Sequence, residues 1–201
     1  MKASLKSQSH VTIGLCGGST PIPIYEALSH EGGIDWKQIT FVALDERYVP
    51  ASNNDSNQGM MHRRLANALS QGAMLLAPDT GKPLQECIEA YEHAISGITL
   101  DLTIVGMGDD GHITSLFPPL NPEAFGPKLV IHTTTDCFAV HDRISTTLPF
   151  LTRGKEALFL ITGQKKMDLL KTMQRESIDP CQYPAQALFG DQTTWMVGVR
   201  G

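Results

Sequence analysis

The sequence has no apolar run long enough to cross a bilayer, and the polar segment from Met1 to His10 lacks the apolar core of a secretory signal. It also has no excess of positive charge, because 16 Lys and Arg face 21 Asp and Glu and leave a net charge of −5. We therefore expect a cytoplasmic protein with neither a membrane nor a nucleic acid as its partner. The net negative charge does not argue against a small anionic substrate, since a small site can be basic within an acidic protein.

Cysteine patterns that hold a metal are absent as well. No C-x-x-C pair occurs, and no histidine stands at zinc-finger spacing from a cysteine. We expect reduced thiols at the four cysteines, which are Cys16, Cys87, Cys137 and Cys181. No repeat, low-complexity segment or linker divides the 201 residues, of which 41% are hydrophobic and 18% charged. This composition predicts one globular domain over residues 1–201.

Short apolar runs rich in β-branched residues alternate with segments of helical periodicity. The predicted strands cover residues 11–16, 39–44, 73–77, 100–105, 129–132, 157–161 and 194–199. The predicted helices cover residues 21–28, 56–69, 83–96 and 164–173, and Ser56 is the expected N-cap of the second. Strands that alternate with helices indicate βαβ units, so we expect an α/β fold whose mostly parallel sheet carries helices on both faces.

Glycine-rich or charged segments follow four of the predicted strands. They are residues 17–21, 45–47, 106–112 and 163–166. Ligands of open α/β sheets bind beyond the carboxyl ends of the strands, and all four segments would open at that edge. We therefore expect the active site to be built from these segments.

The first two segments both suit a phosphate group. Gly17 and Gly18 would let the backbone approach closely, and Ser19 and Thr20 would add hydroxyl groups at the start of a helix. An ordinary tight turn with an N-cap explains these residues equally well. Arg47 follows the second strand and could bind a phosphate through two parallel hydrogen bonds, although surface ion pairs of arginine are common.

The third segment, from Gly106 to Gly111, spells G-x-G-x-x-G, which is the fingerprint of dinucleotide-binding folds. We reject that interpretation, because two prolines end any following helix within two turns and two aspartates would repel a pyrophosphate. A sharp turn that presents His112 is the better interpretation. The imidazole could act as a general base on water, with either Asp109 or Asp110 orienting its ring.

Two further cations, Arg143 and Lys166, would be ordinary solvated surface residues if each stood alone. Together with Arg47 they could form a clamp for a phosphate group. The sequence alone does not show that the three side chains meet.

Four blocks of this sequence resemble the 6-phosphogluconolactonase family, within a wider group that includes glucosamine-6-phosphate deaminases. The first is GGSTP at residues 17–21, and the second is LDERYVP at 44–50 with DSN at 55–57. The third, GMGDDGH at 106–112 with SLFP at 115–118, is the most specific. The fourth combines RIS at 143–145, TLP at 147–149, TG at 162–163 and Lys166.

The resemblance implies a three-layer, Rossmann-like fold with no metal and no organic cofactor. It implies hydrolysis of 6-phospho-D-glucono-1,5-lactone, a phosphorylated sugar lactone of the oxidative pentose phosphate pathway. His112 would activate the water, Asp45 would lie near the ring end of the substrate, and the choice between Asp109 and Asp110 stays open. The candidate catalytic residues are His112, Asp110 and Asp45, and the candidate binding residues are Gly17, Gly18, Ser19, Thr20, Arg47, Arg143 and Lys166.

Two other functions fit parts of the pattern. A deaminase of the wider group would carry an acidic residue shortly after the histidine, whereas this chain has Ser115-Leu116-Phe117-Pro118 and no carboxylate there. A non-catalytic sensor of sugar phosphates would keep the phosphate clamp, but it would not need His112.

Three features depart from the family pattern. Few residues precede the first predicted strand, where the family usually carries a helix. Asp109 stands where the family often has proline, and residues 121–142 match poorly. We expect a more acidic and less rigid catalytic loop, and a reshaped entrance for the substrate.

Overall fold

The computed structural model describes residues 10–198. The strands are β1 (Val11–Leu15), β2 (Ile39–Ala43), β3 (Asp45–Arg47), β4 (Met74–Leu76), β5 (Leu102–Gly106), β6 (Val130–Thr134), β7 (Asp142–Thr146), β8 (Ala157–Thr162) and β9 (Thr193–Gly198). The α-helices are α1 (Ile22–Ser29), α2 (Asn57–Arg64), α3 (Ala66–Ser70), α4 (Leu84–Ile95), α5 (Leu148–Thr152) and α6 (Gln164–Met173). None of the helices described here is long and apolar enough to span a membrane.

Six strands form a parallel sheet in the order β4-β2-β1-β5-β8-β9. Because β1 lies between β2 and β5, the chain first adds strands on one side of β1 and later on the other. The connections that leave β1 and β5 therefore diverge, and a crevice opens at the carboxyl ends of these strands.

Strand β2 shows why helices cover both faces of this sheet. All five of its residues are buried, and successive side chains point to opposite faces. Phe41 packs in an apolar cluster with Tyr25 of α1 and Met61 of α2, whereas Val42 packs in a second cluster with Tyr91 of α4. The sheet thus separates two layers of helices, and the expected three-layer α/β fold is confirmed.

A second, antiparallel sheet has the order β3-β7-β6. Leu44 alone separates β3 from β2 and joins the two sheets, because its N–H donates to Leu15 and its carbonyl oxygen accepts from Thr146. The register of β3 and β7 pairs Arg47 with Arg143. The second sheet therefore brings together two arginines that lie far apart in the sequence.

The predicted elements of the parallel sheet and its helices are confirmed, with small shifts at their ends, and Ser56 caps α2 by accepting a hydrogen bond from the Gly59 N–H at 3.0 Å. The helix predicted over 56–69 is interrupted at Leu65, which separates α2 from α3. The second sheet was not predicted: the strand over 129–132 exists as β6 within it, and residues 45–47 form a strand rather than a turn. Val199, the last residue of the final predicted strand, lies outside the described residues.

Candidate active site

A cavity of about 570 Å³ opens where β1, β2, β5 and β8 end. It collects side chains from the four segments that the sequence singles out and from β7. All residues predicted for the site line it, namely Gly17, Gly18, Ser19, Thr20, Asp45, Arg47, Asp110, His112, Arg143 and Lys166.

His112 is held in the cavity by Asp110. Its Nδ1 lies 2.6 Å from Oδ1 of Asp110, and the same carboxylate oxygen accepts the His112 backbone N–H at 3.1 Å. Burial alone would raise the pKa of Asp110, but the hydrogen bond and the charge of His112 outweigh it and lower that pKa to about 2. Because an ionised carboxylate can only accept, Nδ1 of His112 carries a proton, and in the neutral imidazole the lone pair is therefore on Nε2.

Asp109 has a different partner. Its Oδ2 accepts from Nζ of Lys165 at 3.1 Å, which joins the turn after β5 to the first turn of α6. The two aspartates that the sequence leaves as alternatives therefore occupy separate contacts, and Asp110 is the one that orients the imidazole.

Gly108 makes room for this pair. A Cβ at position 108 would lie 2.1 Å from Nδ1 of His112 and 2.6 Å from Oδ1 of Asp110. Its N–H donates to the His112 carbonyl oxygen at 2.8 Å, so the turn closes directly behind the imidazole. The glycine pattern that resembles a dinucleotide fingerprint thus leaves the space that His112 and Asp110 occupy.

Asp45 connects the cavity's turns and is only 6% exposed. Its Oδ1 accepts from the Gly17 N–H at 3.4 Å, and its Oδ2 accepts from Oγ of Ser115 at 2.8 Å. Thr114, whose φ of 52° lies in the left-handed region, contacts Oγ of Ser145 on β7 at 2.9 Å. These bonds fix the segment after His112 to both sheets, while the catalytic role expected for Asp45 stays a prediction.

Two arginines meet on neighbouring strands of the second sheet. Arg143 is 4% exposed, and its Nε donates to the Val140 carbonyl oxygen at 2.8 Å. Burial and then the nearby charge of Arg47 lower the pKa of Arg143. Nε of Arg47 is buried without a hydrogen-bond partner among residues 10–198. A bound anion would relieve the repulsion and supply the missing acceptor.

The starts of α1 and α6 add donors to the same cavity. Gly18 adopts φ +91°, a left-handed conformation that a residue with a side chain rarely takes, and it precedes the hydroxyl groups of Ser19 and Thr20. Thr20 lies 3.5 Å from Thr162 at the end of β8, measured between their hydroxyl oxygens. Lys166 lies in the first turn of α6, so a cation and two helix N-termini face the cavity together.

The cavity is positively charged once its internal pairs are counted. Lys165 neutralises Asp109, and Asp45 accepts hydrogen bonds without a paired cation. Within the described part of the chain, no carboxylate forms an ion pair with any of three cations, Arg47, Arg143 and Lys166. The three cations outnumber the remaining carboxylates, Asp45 and Asp110, which favours an anionic ligand.

Other lining residues are not among those predicted for the site, although Phe117 belongs to the block at 115–118 that resembles the family. Phe117 and Phe138 place their rings 4.8 Å and 5.8 Å from the His112 ring, measured between centroids. Cys16 also lines the cavity, but burial and then Asp45 raise the pKa of its thiol to about 11. The thiol is therefore neutral near pH 7, and it does not supply a thiolate nucleophile.

Glu46, which the sequence places among three charged residues, is fully buried behind the cavity. Its carboxylate accepts from the backbone N–H groups of Arg47, Asn57 and Gln58 and from the Ser56 hydroxyl. Glu46 therefore anchors the start of α2 and does not face the ligand. No group of His, Cys, Asp and Glu suited to a metal occurs in residues 10–198.

Comparison with known proteins places these features in one family. The model of the family "Glucosamine-6-phosphate isomerases/6-phosphogluconolactonase" matches residues 1–196. A protein of Dictyostelium discoideum named "Probable 6-phosphogluconolactonase" is 37% identical over 201 residues, which cover 95% of this chain and 85% of that protein.

Solved structures agree with this match. The crystal structure of 6-phosphogluconolactonase from Thermotoga maritima has a TM-score of 0.86 at 28% identity and covers 99% of this chain and 89% of that chain. A monomeric glucosamine-6-phosphate deaminase has a TM-score of 0.79 at 21% identity, covering 97% of this chain and 88% of that chain. The fold is shared by both branches, so the residues of the cavity must distinguish them.

Proposed function

The chain belongs to the glucosamine-6-phosphate isomerase and 6-phosphogluconolactonase family, and from that membership we propose that it hydrolyses 6-phospho-D-glucono-1,5-lactone to 6-phosphogluconate. This is a step of the oxidative pentose phosphate pathway, which we assign to the cytoplasm. The reaction adds water across one ester bond and needs neither a redox group nor a metal.

The phosphate group would bind to Arg47, Arg143 and Lys166. These are the cations lining the cavity that no described carboxylate neutralises, and the turn from Gly17 to Thr20 lines the same cavity. A phosphate dianion would accept from guanidinium, ammonium and backbone N–H groups at once. The lactone ring is then tethered at one end, which brings its carbonyl group to His112.

Water is the nucleophile in this proposal. Nε2 of His112 removes a proton from a water molecule as its oxygen bonds to the lactone carbonyl carbon. The bond between that carbon and the ring oxygen then breaks, and the protonated imidazole returns the proton to the departing oxygen. Asp110 stabilises the imidazolium through the 2.6 Å hydrogen bond to Nδ1.

No covalent intermediate is needed for this substrate. A strained lactone already hydrolyses slowly in water, so a positioned general base, typically worth roughly 10²- to 10⁴-fold, and fixed orientation supply the acceleration. The neutral thiol of Cys16 agrees with direct attack by water.

One observation carries the proposal. A single cavity holds both an imidazole oriented by a carboxylate and three cations without carboxylate partners in residues 10–198. The residues after His112 also favour hydrolysis over deamination, because Ser115-Leu116-Phe117-Pro118 has no carboxylate where the deaminase branch would carry an acidic residue.

The test follows fresh 6-phosphogluconolactone with and without the protein, after subtraction of the spontaneous rate. A coupled dehydrogenase detects 6-phosphogluconate, and His112→Ala is assayed beside the wild type with His62→Ala, on the exposed side of α2, as the matched control. We expect acceleration that is reduced roughly 10²-fold or more only in His112→Ala.

Acceleration that survives His112→Ala would retain the activity and refute the general base. No acceleration by folded wild-type protein would refute the lactonase assignment and turn attention to amino-sugar phosphates as substrates.

A further inference from the structure

The connection between β6 and β7 presents an aromatic side chain to the cavity. Phe138 lies in this connection, which spans residues 135–141, and its side chain is 48% exposed at the cavity wall. A large apolar ring left so open to water in a binding cavity suits a ligand that covers it. The connection also lies in the segment that matches the family poorly.

Phe138 lies between His112, the proposed general base, and Arg143 of the phosphate clamp. Its ring centroid is 5.8 Å from that of His112, while Cζ of Arg143 is 5.6 Å from the same centroid. Phe117 extends the apolar wall, since its ring lies 5.8 Å from Phe138 and 4.8 Å from His112. A ligand that reaches both His112 and Arg143 must therefore pass beside the Phe138 ring.

Hydrogen bonds hold the connection in place before any ligand arrives. The Thr135 N–H donates to the His141 carbonyl oxygen at 3.1 Å, and the Cys137 N–H donates to Oγ1 of Thr135 at 3.2 Å. Arg143 donates from Nε to the Val140 carbonyl oxygen, two residues beyond Phe138. The aromatic ring is thus presented by a tied hairpin end.

The proposed substrate has an apolar surface that would fit beside Phe138. In 6-phospho-D-glucono-1,5-lactone the carbonyl carbon C1 and the carbon C5 that carries the phosphorylated C6 both bond to the ring oxygen. The carbonyl group and the phosphate therefore project from either side of that oxygen, and a group that binds both has the face of the sugar ring beside it. The C–H groups of a sugar ring form an apolar face that packs well on an aromatic ring.

We propose that Phe138 contributes to substrate binding by packing against the C–H face of the sugar ring while His112 acts at the carbonyl group and Arg143 holds the phosphate. This inference rests on the proposed lactonase function and adds a ring-binding wall to it. Packing of this kind acts on the bound lactone and on the transition state alike, so it changes KM more than kcat.

The experiment measures kcat and KM for 6-phosphogluconolactone in wild type, Phe138→Ala and Phe138→Leu, together with the inhibition constant of inorganic phosphate. Phe125→Ala is the matched control, because Phe125 is 47% exposed but does not line the cavity. We expect Phe138→Ala to raise KM about tenfold with little change in kcat, Phe138→Leu to raise it less, and phosphate inhibition to stay unchanged.

Two outcomes would overturn the inference while wild-type activity stands. Unchanged KM in Phe138→Ala would show that the ring does not contact the sugar. An equal weakening of phosphate inhibition would show that Phe138 acts through Arg143 instead. Failure of the wild type to hydrolyse the lactone would instead remove the proposed function, and this inference with it.

Discussion

At the scale of single residues, Lys166 tests the phosphate clamp. It lies in the first turn of α6 and lines the cavity without an ion-paired carboxylate in the described residues. We predict that Lys166→Ala raises KM for 6-phosphogluconolactone about tenfold, since a hydrogen bond to a charged group is worth about 1.5–3 kcal/mol. Hydrolysis of unphosphorylated gluconolactone, measured in the same assay, should change much less.

Lys171→Ala is the control for this change, because Lys171 lies on the same helix, is exposed and pairs with Asp168 instead. Equal losses on the phosphorylated and the unphosphorylated lactone would remove Lys166 from the clamp.

The residues of the cavity differ in how far the sequence reveals them. His112 and Arg47 follow predicted strands within glycine-rich or charged segments, so their position along the chain already indicates function. Arg143 alone would be an ordinary surface cation, and only the pairing of β3 with β7 brings it to Arg47. The preference for Asp110 over Asp109 depends on side-chain direction within a turn, which spacing does not encode. Phe138 lies in the poorly matching segment 121–142, but nothing in the sequence singles it out there, because it reaches the cavity only through the pairing of β6 with β7.

At the scale of elements, Glu46 ties β3 to the start of α2. Its Oε1 accepts from the N–H groups of Arg47 at 2.6 Å and Asn57 at 2.7 Å, and its Oε2 accepts from the Gln58 N–H at 2.6 Å. Glu46→Gln would turn an NH₂ group toward one of these donors. We predict a loss of about 2 kcal/mol in the free energy of unfolding, measured by urea denaturation.

Glu86→Gln serves as the comparison, since Glu86 is an exposed residue in the first turn of α4. If both variants lose the same small amount, then Glu46 does not anchor α2 as its hydrogen bonds indicate.

The elements of the parallel sheet could be predicted because their hydrophobic patterns are strong and local. Strand β2 is a buried apolar run, and α4 carries Cys87, Ile88, Tyr91 and Ile95 on its buried face. The second sheet escaped prediction for the opposite reason. Asp45–Arg47 and Asp142–Thr146 are short and rich in charged or hydroxyl side chains, and each becomes a strand only by pairing with a distant segment.

At the scale of the whole molecule, the Asp110–His112 pair makes the free energy of unfolding depend on pH in the acid range. The pKa of Asp110 lies near 2 in the folded protein, below its ordinary value of 3.8. Its stabilisation is therefore complete above the ordinary value and is lost as the pH falls toward the folded value. Because the carboxylate is 51% exposed and screened by water, we predict that Asp110→Asn costs about 1 kcal/mol at about pH 5 and less at about pH 3.

The measurement is urea unfolding across this pH range, with the exposed Asp191→Asn as the reference variant. A difference between wild type and Asp110→Asn that does not shrink below about pH 4 would contradict the linkage.

The cavity has a consequence for the order of events in folding. Its walls come from residues near 17, 45, 110, 138, 143 and 166, so no stretch of chain contains the site and closing it requires contacts over most of the sequence. Contacts between distant segments form late, after helices and local turns. During refolding by dilution from urea, the helical circular dichroism signal will therefore return before the lactonase activity, which will return last.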